Sequence, residues 1–190
     1  MDRFHPKSGT LEMIVGCMFS GKSSELIQRI RLHRIIGHEV MVVNHVSNKR
    51  YAEDAGGAVS SHDHDHLSAV GAERLYDIVP TEAYAKAQVI FVEEAQFFDD
   101  LYGFVRESVG SHGKHLVVSG LDGDYNREPY RQVVDLIPFA DVVIKKTALC
   151  VRCKDGTVAS FSKRTVANDD RNLVGGSDAY IPVCRFHYDE

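Results

Sequence analysis

Leu11-Glu12-Met13-Ile14-Val15-Gly16-Cys17-Met18-Phe19-Ser20-Gly21-Lys22-Ser23 is the stretch that decides how the chain is built. Its apolar run, 11–15, reads as a buried strand. The turn that follows holds two glycines with four residues between them, and the segment 23–36 has helical character and is closed by Gly37. Glycines let such a turn curl until its amide hydrogens point inward at phosphate oxygens, and the helix behind adds the positive end of its dipole. In this pattern Lys22 reaches the terminal phosphates of ATP and the Ser23 hydroxyl ligates magnesium. Gly16, Cys17, Met18, Phe19, Ser20, Gly21, Lys22 and Ser23 are therefore the candidate nucleotide site. The strand before and the helix after argue against an accidental glycine-rich turn. Cys17 could be a reactive thiol near a helix start, but a small packing residue is the commoner use and the preferred reading.

Outward from there, 38–44 reads as a second buried strand, completing a strand-helix-strand unit. Further strands are expected at 89–92, 116–119 and 142–145, with helical stretches around 74–78 and 101–108. Runs of β-branched residues bounded by turns predict an α/β core with a parallel sheet covered on both faces. Two polar segments, 46–69 and 120–130, are long enough to be functional loops. After Lys146 the character changes to paired cysteines and turn formers, which places a boundary between a core, 1–145, and a small β-rich lobe, 146–190.

Bulk properties limit the function classes. A chain of 190 residues with 44% hydrophobic content can bury a real core. A net charge of -5 and a pI near 6.0 argue against a general nucleic-acid binder. Residues 1–9 are polar and no apolar run approaches the roughly 20 residues that span a bilayer, so a soluble, unexported protein without membrane attachment is expected.

Phosphoryl transfer to a hydroxyl needs a carboxylate for the metal and a base near the acceptor. Val89-Ile90-Phe91-Val92-Glu93-Glu94-Ala95-Gln96 supplies both at the end of an apolar strand, where an α/β sheet opens its crevice. Neighbouring residues at a strand end point in different directions, so the two acids can serve different tasks. A solvated acidic turn is the alternative, and the phosphate loop upstream decides against it.

Cys150-x-x-Cys153 and Cys184-x-x-His187 are two chelating pairs some thirty residues apart, a zinc-ribbon arrangement. With four protein ligands no coordination position remains for chemistry, so the zinc is expected to be structural. The cysteine distribution suits a reducing compartment, and with it a cytoplasmic location. A second run, Ser61-His62-Asp63-His64-Asp65-His66, also looks metal-like, although a solvated polar stretch is the commoner meaning.

At this point the chain resembles the thymidine kinase family of the cellular, poxviral and bacterial type. Met18-Phe19-Ser20-Gly21-Lys22-Ser23, Glu94-Ala95-Gln96-Phe97-Phe98, Gly120-Leu121-Asp122-Gly123-Asp124-Tyr125 and Val174-Gly175-Gly176 through Tyr180 to Val183-Cys184-Arg185 carry the likeness, which runs from Leu11 to His187. It implies a RecA-like P-loop core, a zinc-ribbon lobe bearing a lasso loop, a homotetramer, and phosphorylation of the 5′-hydroxyl of thymidine, and of deoxyuridine, by ATP with Mg2+. By position, Glu94 matches the catalytic base. Glu93, Gln96 and Asp63 fall on the ATP and magnesium side, and Met18, Phe97, Leu121 and Tyr125 on the base pocket. Ser162 and Arg164 match the start of the lasso, and Leu173, Val174, Gly175, Gly176 and Tyr180 its substrate-closing part. The sequence departs from the family in having Glu93 where Asp is usual, and Asn126 and Glu128 where Gln and Lys are frequent.

The residues agree with that placement: a pyrimidine needs a flat apolar slot, and Phe97 and Tyr125 are aromatics near the acids. Two other readings remain open here. One is a kinase of a different nucleoside or small molecule with the same ATP site. The other is a nucleic-acid-binding protein using the lobe, whose seven lysines and arginines are offset by six acids.

Overall fold

The computed structural model describes residues 8–47, 58–60, 66–168 and 170–190. Strand β1 (Thr10–Gly16) leads into helix α1 (Lys22–Ile35) and strand β2 (Val40–His45). A short antiparallel hairpin, β3 (Ala58–Ser60) and β4 (His66–Ser68), precedes β5 (Val70–Ala72). Then come α2 (Glu82–Lys86), β6 (Val89–Glu93), α3 (Leu101–Gly110), β7 (His115–Gly120), α4 (Arg131–Val134) and β8 (Val142–Lys146). Six strands form one sheet in the order β5-β2-β6-β7-β1-β8, and every pairing in it is parallel. This is the α/β core expected from the sequence.

Period-two alternation decides which helix each strand residue meets. Along β1, Leu11, Met13 and Val15 face the cluster built with Phe98, Leu101, Phe104 and Val105 of the α3 side. Ile14 faces the other way, onto Leu26, Ile27 and Ile30 of α1, together with Val89 and Phe91 of β6. Phe91, Phe104 and Leu26 are wholly buried, each burial contributing roughly 1.5–3 kcal/mol. A charge is accommodated inside this pattern near the start of β1. Glu12, 6% exposed on the α1 face, forms an ion pair with Arg29, whose Nε also donates to Glu25 (3.0 Å), while Lys146 Nζ donates to the second Glu25 oxygen (3.1 Å). A buried carboxylate persists only when paired, and this chain of pairs ties β1, α1 and β8 together.

Two expectations are corrected. The stretch around 74–78 is helical only as a single 3-10 turn, Leu75–Ile78, whose first amides, at Leu75 and Tyr76, donate to the Asp100 carboxylate at 3.1 and 3.0 Å, and Pro80, which has no amide hydrogen, does not continue it. The segment 46–69 is not loop throughout, since it contains the β3–β4 hairpin.

After β8 the chain builds small antiparallel pairs in place of further sheet. Strands β9 (Ala148–Leu149) and β10 (Val158–Ala159) pair, as do β11 (Phe161–Arg164) and β12 (Tyr180–Val183), and α5 (Arg185–Asp189) ends the chain. Among the described residues no helix is long and apolar enough to cross a membrane.

Candidate active site

The phosphate loop is a close backbone fit. Gly16 has φ +145°, and a Cβ there would lie 2.1 Å from the Lys146 carbonyl, so no other residue fits where β1 passes β8. Gly21 takes the left-handed position before α1, whose first turn has no side-chain cap. Its amides are left to face an anion. The cleft in front is lined by residues 18–24 with Glu94 and Leu121. Lys22 Nζ donates to the Cys17 carbonyl at 2.7 Å, and burial lowers the pKa of its ammonium. A phosphate competing for that ammonium displaces one neutral acceptor. The Ser20 hydroxyl donates to the same carbonyl (2.8 Å).

Cys17 lies behind the loop, 4% exposed, with its thiol donating to the Ala159 carbonyl. Burial raises its pKa, which keeps it a thiol, in keeping with the packing role.

The two acids separate as the alternation requires. Glu93 continues the face of Phe91, toward α1, and its Oε1 accepts the Ser23 hydroxyl. It is 4% exposed, and burial with the neighbouring Glu94 pushes its pKa up to about 7. Glu93 Oε2 and the nearby Ser119 hydroxyl are buried without a hydrogen-bond partner. An orphaned carboxylate oxygen beside a helix-opening serine suits a hard divalent cation, so Ser23 and Glu93 would hold magnesium. Glu94 leaves the strand in the left-handed region (φ 51°), as does Phe19 on the opposite lip of the cleft (φ 63°). Non-glycine residues held there store strain of the kind that gathers at functional sites.

Gln96 proves to be a bridge. Its Nε2 donates to Glu94 Oε2 (2.6 Å) and its Oε1 accepts the Leu121 amide (3.0 Å). Gly120 makes room for it, since a Cβ there would lie 2.8 Å from Gln96 Oε1. Both ends of the amide are thus engaged with protein, and Gln96 holds Glu94 to the end of β7.

A second space opens beside the cleft, lined by Met18, Gln96, Phe97, Leu121, Tyr125, Ser162, Leu173 and Tyr180 among others. Met18 and Leu121 stand on the wall common to both. The structure therefore brings most of the sequence-selected acceptor residues into one slot. The Arg164 guanidinium covers one face of the Tyr125 ring at 3.6 Å. Val174 and Gly175 line a wider adjoining cavity of about 750 Å³ with Phe97 and His45. Gly176 lines neither space, and its amide donates to Asp178 Oδ1 (2.8 Å).

Three lasso residues have structural contacts the sequence did not suggest. The Ser162 hydroxyl accepts the Met18 amide (2.9 Å), docking β11 on the phosphate loop. Arg164 donates to the carbonyls of Asn168 (2.6 Å) and Asp170 (2.7 Å) and to the Tyr180 hydroxyl (2.6 Å), which in turn donates to the Leu173 carbonyl (2.9 Å). Gly175 is required by packing, because a Cβ there would lie 2.7 Å from Ala179 Cβ. Asp63 and the rest of 61–65 lie outside the described residues.

Cys150, Cys153, Cys184 and His187 converge so that their ligand atoms all lie within 4.8 Å of one another. Cys153 and Cys184 sulfurs are 3.8 Å apart, and His187 Nδ1 is 3.6, 3.3 and 3.4 Å from the sulfurs of Cys150, Cys153 and Cys184. A tetrahedral zinc with bonds of about 2.3 Å to sulfur sets sulfurs about 3.8 Å apart, so the four residues fit that ion. The knuckle reaches the acceptor slot through α5. The Tyr188 hydroxyl donates to the Tyr125 carbonyl (2.5 Å), and Arg127 pairs with Asp189 (2.9 Å) while lying over the Tyr188 ring.

Sequence reasoning missed Asp124, Tyr130, Arg171 and Asn172, which also line the slot. The signals were the place of Asp124 in the Gly120–Tyr125 stretch and of Tyr130 at the end of the 120–130 loop.

The thymidine kinase family model matches residues 9–188. A thymidine kinase of Variola virus is 38% identical over 180 residues, covering 95% of this chain and 97% of the viral one. One from fowlpox virus is 40% identical over 178 residues, 94% and 96% of the two chains. A rice thymidine kinase is 40% identical over 184 residues, 95% of this chain and 66% of the longer plant protein.

Proposed function

The chain belongs to the thymidine kinase family, and from that premise we propose that it transfers the γ-phosphate of ATP to the 5′-hydroxyl of thymidine, and of deoxyuridine, to give the nucleoside monophosphate. The observation that carries this reading is the place of Glu94, on the phosphate cleft and held by Gln96, whose side chain lines the neighbouring slot.

In this reading the loop amides and Lys22 cradle the phosphates and neutralise charge that builds on transfer. Ser23 and Glu93, with Asp63 as a further candidate, would hold magnesium, which when bound would supply charge neutralisation on the transferred group. Glu94 accepts the proton of the sugar hydroxyl as that oxygen attacks. Met18, Phe97, Leu121 and Tyr125 flank the base, and the backbone around Leu173, Val174, Gly175 and Gly176 closes over it, with Tyr180 bracing that backbone. Zinc at Cys150, Cys153, Cys184 and His187 is structural. A cytoplasmic homotetramer without nucleic-acid partners completes the proposal, supported by the family likeness, the cysteine usage and the acidic charge balance.

The test is ADP release with thymidine, deoxyuridine, deoxycytidine and deoxyguanosine. Thymidine-dependent turnover is expected, and activity confined to purine nucleosides overturns the reading. Glu94→Gln is expected to lower turnover roughly a hundredfold or more while both substrates still bind, the usual scale for a positioned base. A fully active Glu94→Gln moves the base elsewhere.

A further inference from the structure

We propose that Asp124 and Arg171 form a positioning pair that fixes the lasso against the core and thereby sets the width of the acceptor slot, an inference that rests on the nucleoside kinase activity above. The Asp124 side chain is 3% exposed. Its Oδ1 accepts the amides of Asn126 and Glu128 (both 2.9 Å), closing the turn that follows Tyr125, and its Oδ2 accepts Arg171 Nε (2.8 Å). Arg171 Nη2 donates to the Pro129 carbonyl (2.9 Å), and the guanidinium lies 4.7 Å from the Tyr130 ring. The Tyr130 hydroxyl, from the same loop, donates to Asn172 Oδ1 (3.2 Å).

Two consecutive lasso residues are therefore tied to the loop that carries Tyr125, and the next one, Leu173, lines the slot. The space left between these walls is about 20 Å³, room for about one water. A nucleoside is admitted only if the walls part, and the Asp124–Arg171 tie is the charged contact that holds the walls against a nucleoside once it is bound. Both partners touch the slot, yet neither reaches the phosphate cleft. A change here is thus read in acceptor affinity and not in nucleotide binding.

The pair can be broken without unmaking the loop. In Asp124→Asn the Oδ1 position still accepts both amides, but an amide NH2 confronts the Arg171 Nε–H, so two donors meet. Arg171→Gln, at a side chain 49% exposed, leaves the Asp124 turn intact and keeps the test available if the first variant folds poorly. Arg171→Lys keeps the charge but cannot span Asp124 and Pro129 together.

The experiment is steady-state kinetics on the zinc-loaded full-length enzyme. Each of Asp124→Asn and Arg171→Gln is expected to raise the thymidine KM about tenfold, with kcat and the ATP KM within about threefold of the parent. Arg171→Lys is expected to fall between. The double variant is expected to be no worse than either single one, because both remove the same tie. A thymidine KM unchanged in the single variants, additive rises in the double, or a kcat that falls as far as KM rises overturns the pair. A parent enzyme that turns over no nucleoside overturns the functional reading, and this one with it.

Discussion

The parallel core and the C-terminal lobe reach order by different means. In the core, strands β1, β6 and β7 are buried on both faces, and the two clusters on either side of the sheet are filled by aliphatic and aromatic side chains of zero or near-zero exposure. The lobe has little to bury: its small cluster is Ala148, Cys150, Ala159 and Val183 with Cys17 from the phosphate loop. Its shape comes from the converging Cys150, Cys153, Cys184 and His187 side chains and from long hydrogen-bonding residues, above all Arg164, Arg171, Tyr180 and Tyr188. Apolar burial tolerates no large movement, whereas a polar, metal-pinned lobe can hold a binding wall that still parts. The phosphate loop and the two acids stand on the first kind of structure, and the walls of the neighbouring slot are shared between the two.

Removing zinc should test this division most severely. Structural zinc contributes on the order of 10–16 kcal/mol of apparent binding free energy that is also folding free energy. One zinc per chain is expected by elemental analysis, and chelation should abolish thymidine binding while ATP binding and most far-ultraviolet dichroism survive. A metal-free preparation that remains fully active would show that the lobe does not depend on its knuckle.

A smaller effect concerns the buried Glu93 carboxylate at the end of β6. The Glu93 pKa, raised from 4.5 to about 7 by burial and by Glu94, means that between those values the folded state holds a proton the unfolded chain has released. Stability therefore falls as pH rises through this window, and the cost is complete above it. Without metal or nucleotide, Glu93→Gln is expected to be more stable than the parent at pH 8 by about 3 kcal/mol, the gap closing toward pH 4.5, as read by chemical denaturation. An equal gap at both pH values would put that carboxylate in contact with water and make the core less dry than described.

The smallest expected effect lies where the two regions meet. Tyr125 has one face under Arg164, and the proposed function sets a nucleobase against its ring. Tyr125→Ala is expected to raise the thymidine KM about tenfold, the scale of one base-aromatic stack, with the ATP KM unchanged. A change in the ATP constant alone would assign this ring to the nucleotide side of the boundary.

Much of the core was legible because its signals are local. Phosphate-loop glycines, an apolar strand and a strand-end pair of acids need only neighbours in sequence to be recognised, and the same holds for Cys-x-x-Cys and Cys-x-x-His. The sequence could place Gln96 beside the acids but not show that its two ends join Glu94 to Leu121, since Leu121 arrives from another strand. It marked Ser162, Arg164 and Gly175 as ligand contacts, whereas their partners are the Met18 amide, the lasso carbonyls and Ala179.

What the amino-acid sequence determined by itself was the parallel α/β class, the phosphate loop, the two acids at the end of β6 and the composition of the zinc knuckle, because each is written in the spacing of adjacent residues. Tertiary structure alone decided that β7 stands between the phosphate strand and the acidic strand, that Glu12 is buried against Arg29, and that Asp124 meets Arg171 across the slot. Those pairings join residues far apart in the chain. Their charges can be buried only once the backbone has supplied the partner, so nothing in the local sequence distinguishes them from solvated surface residues.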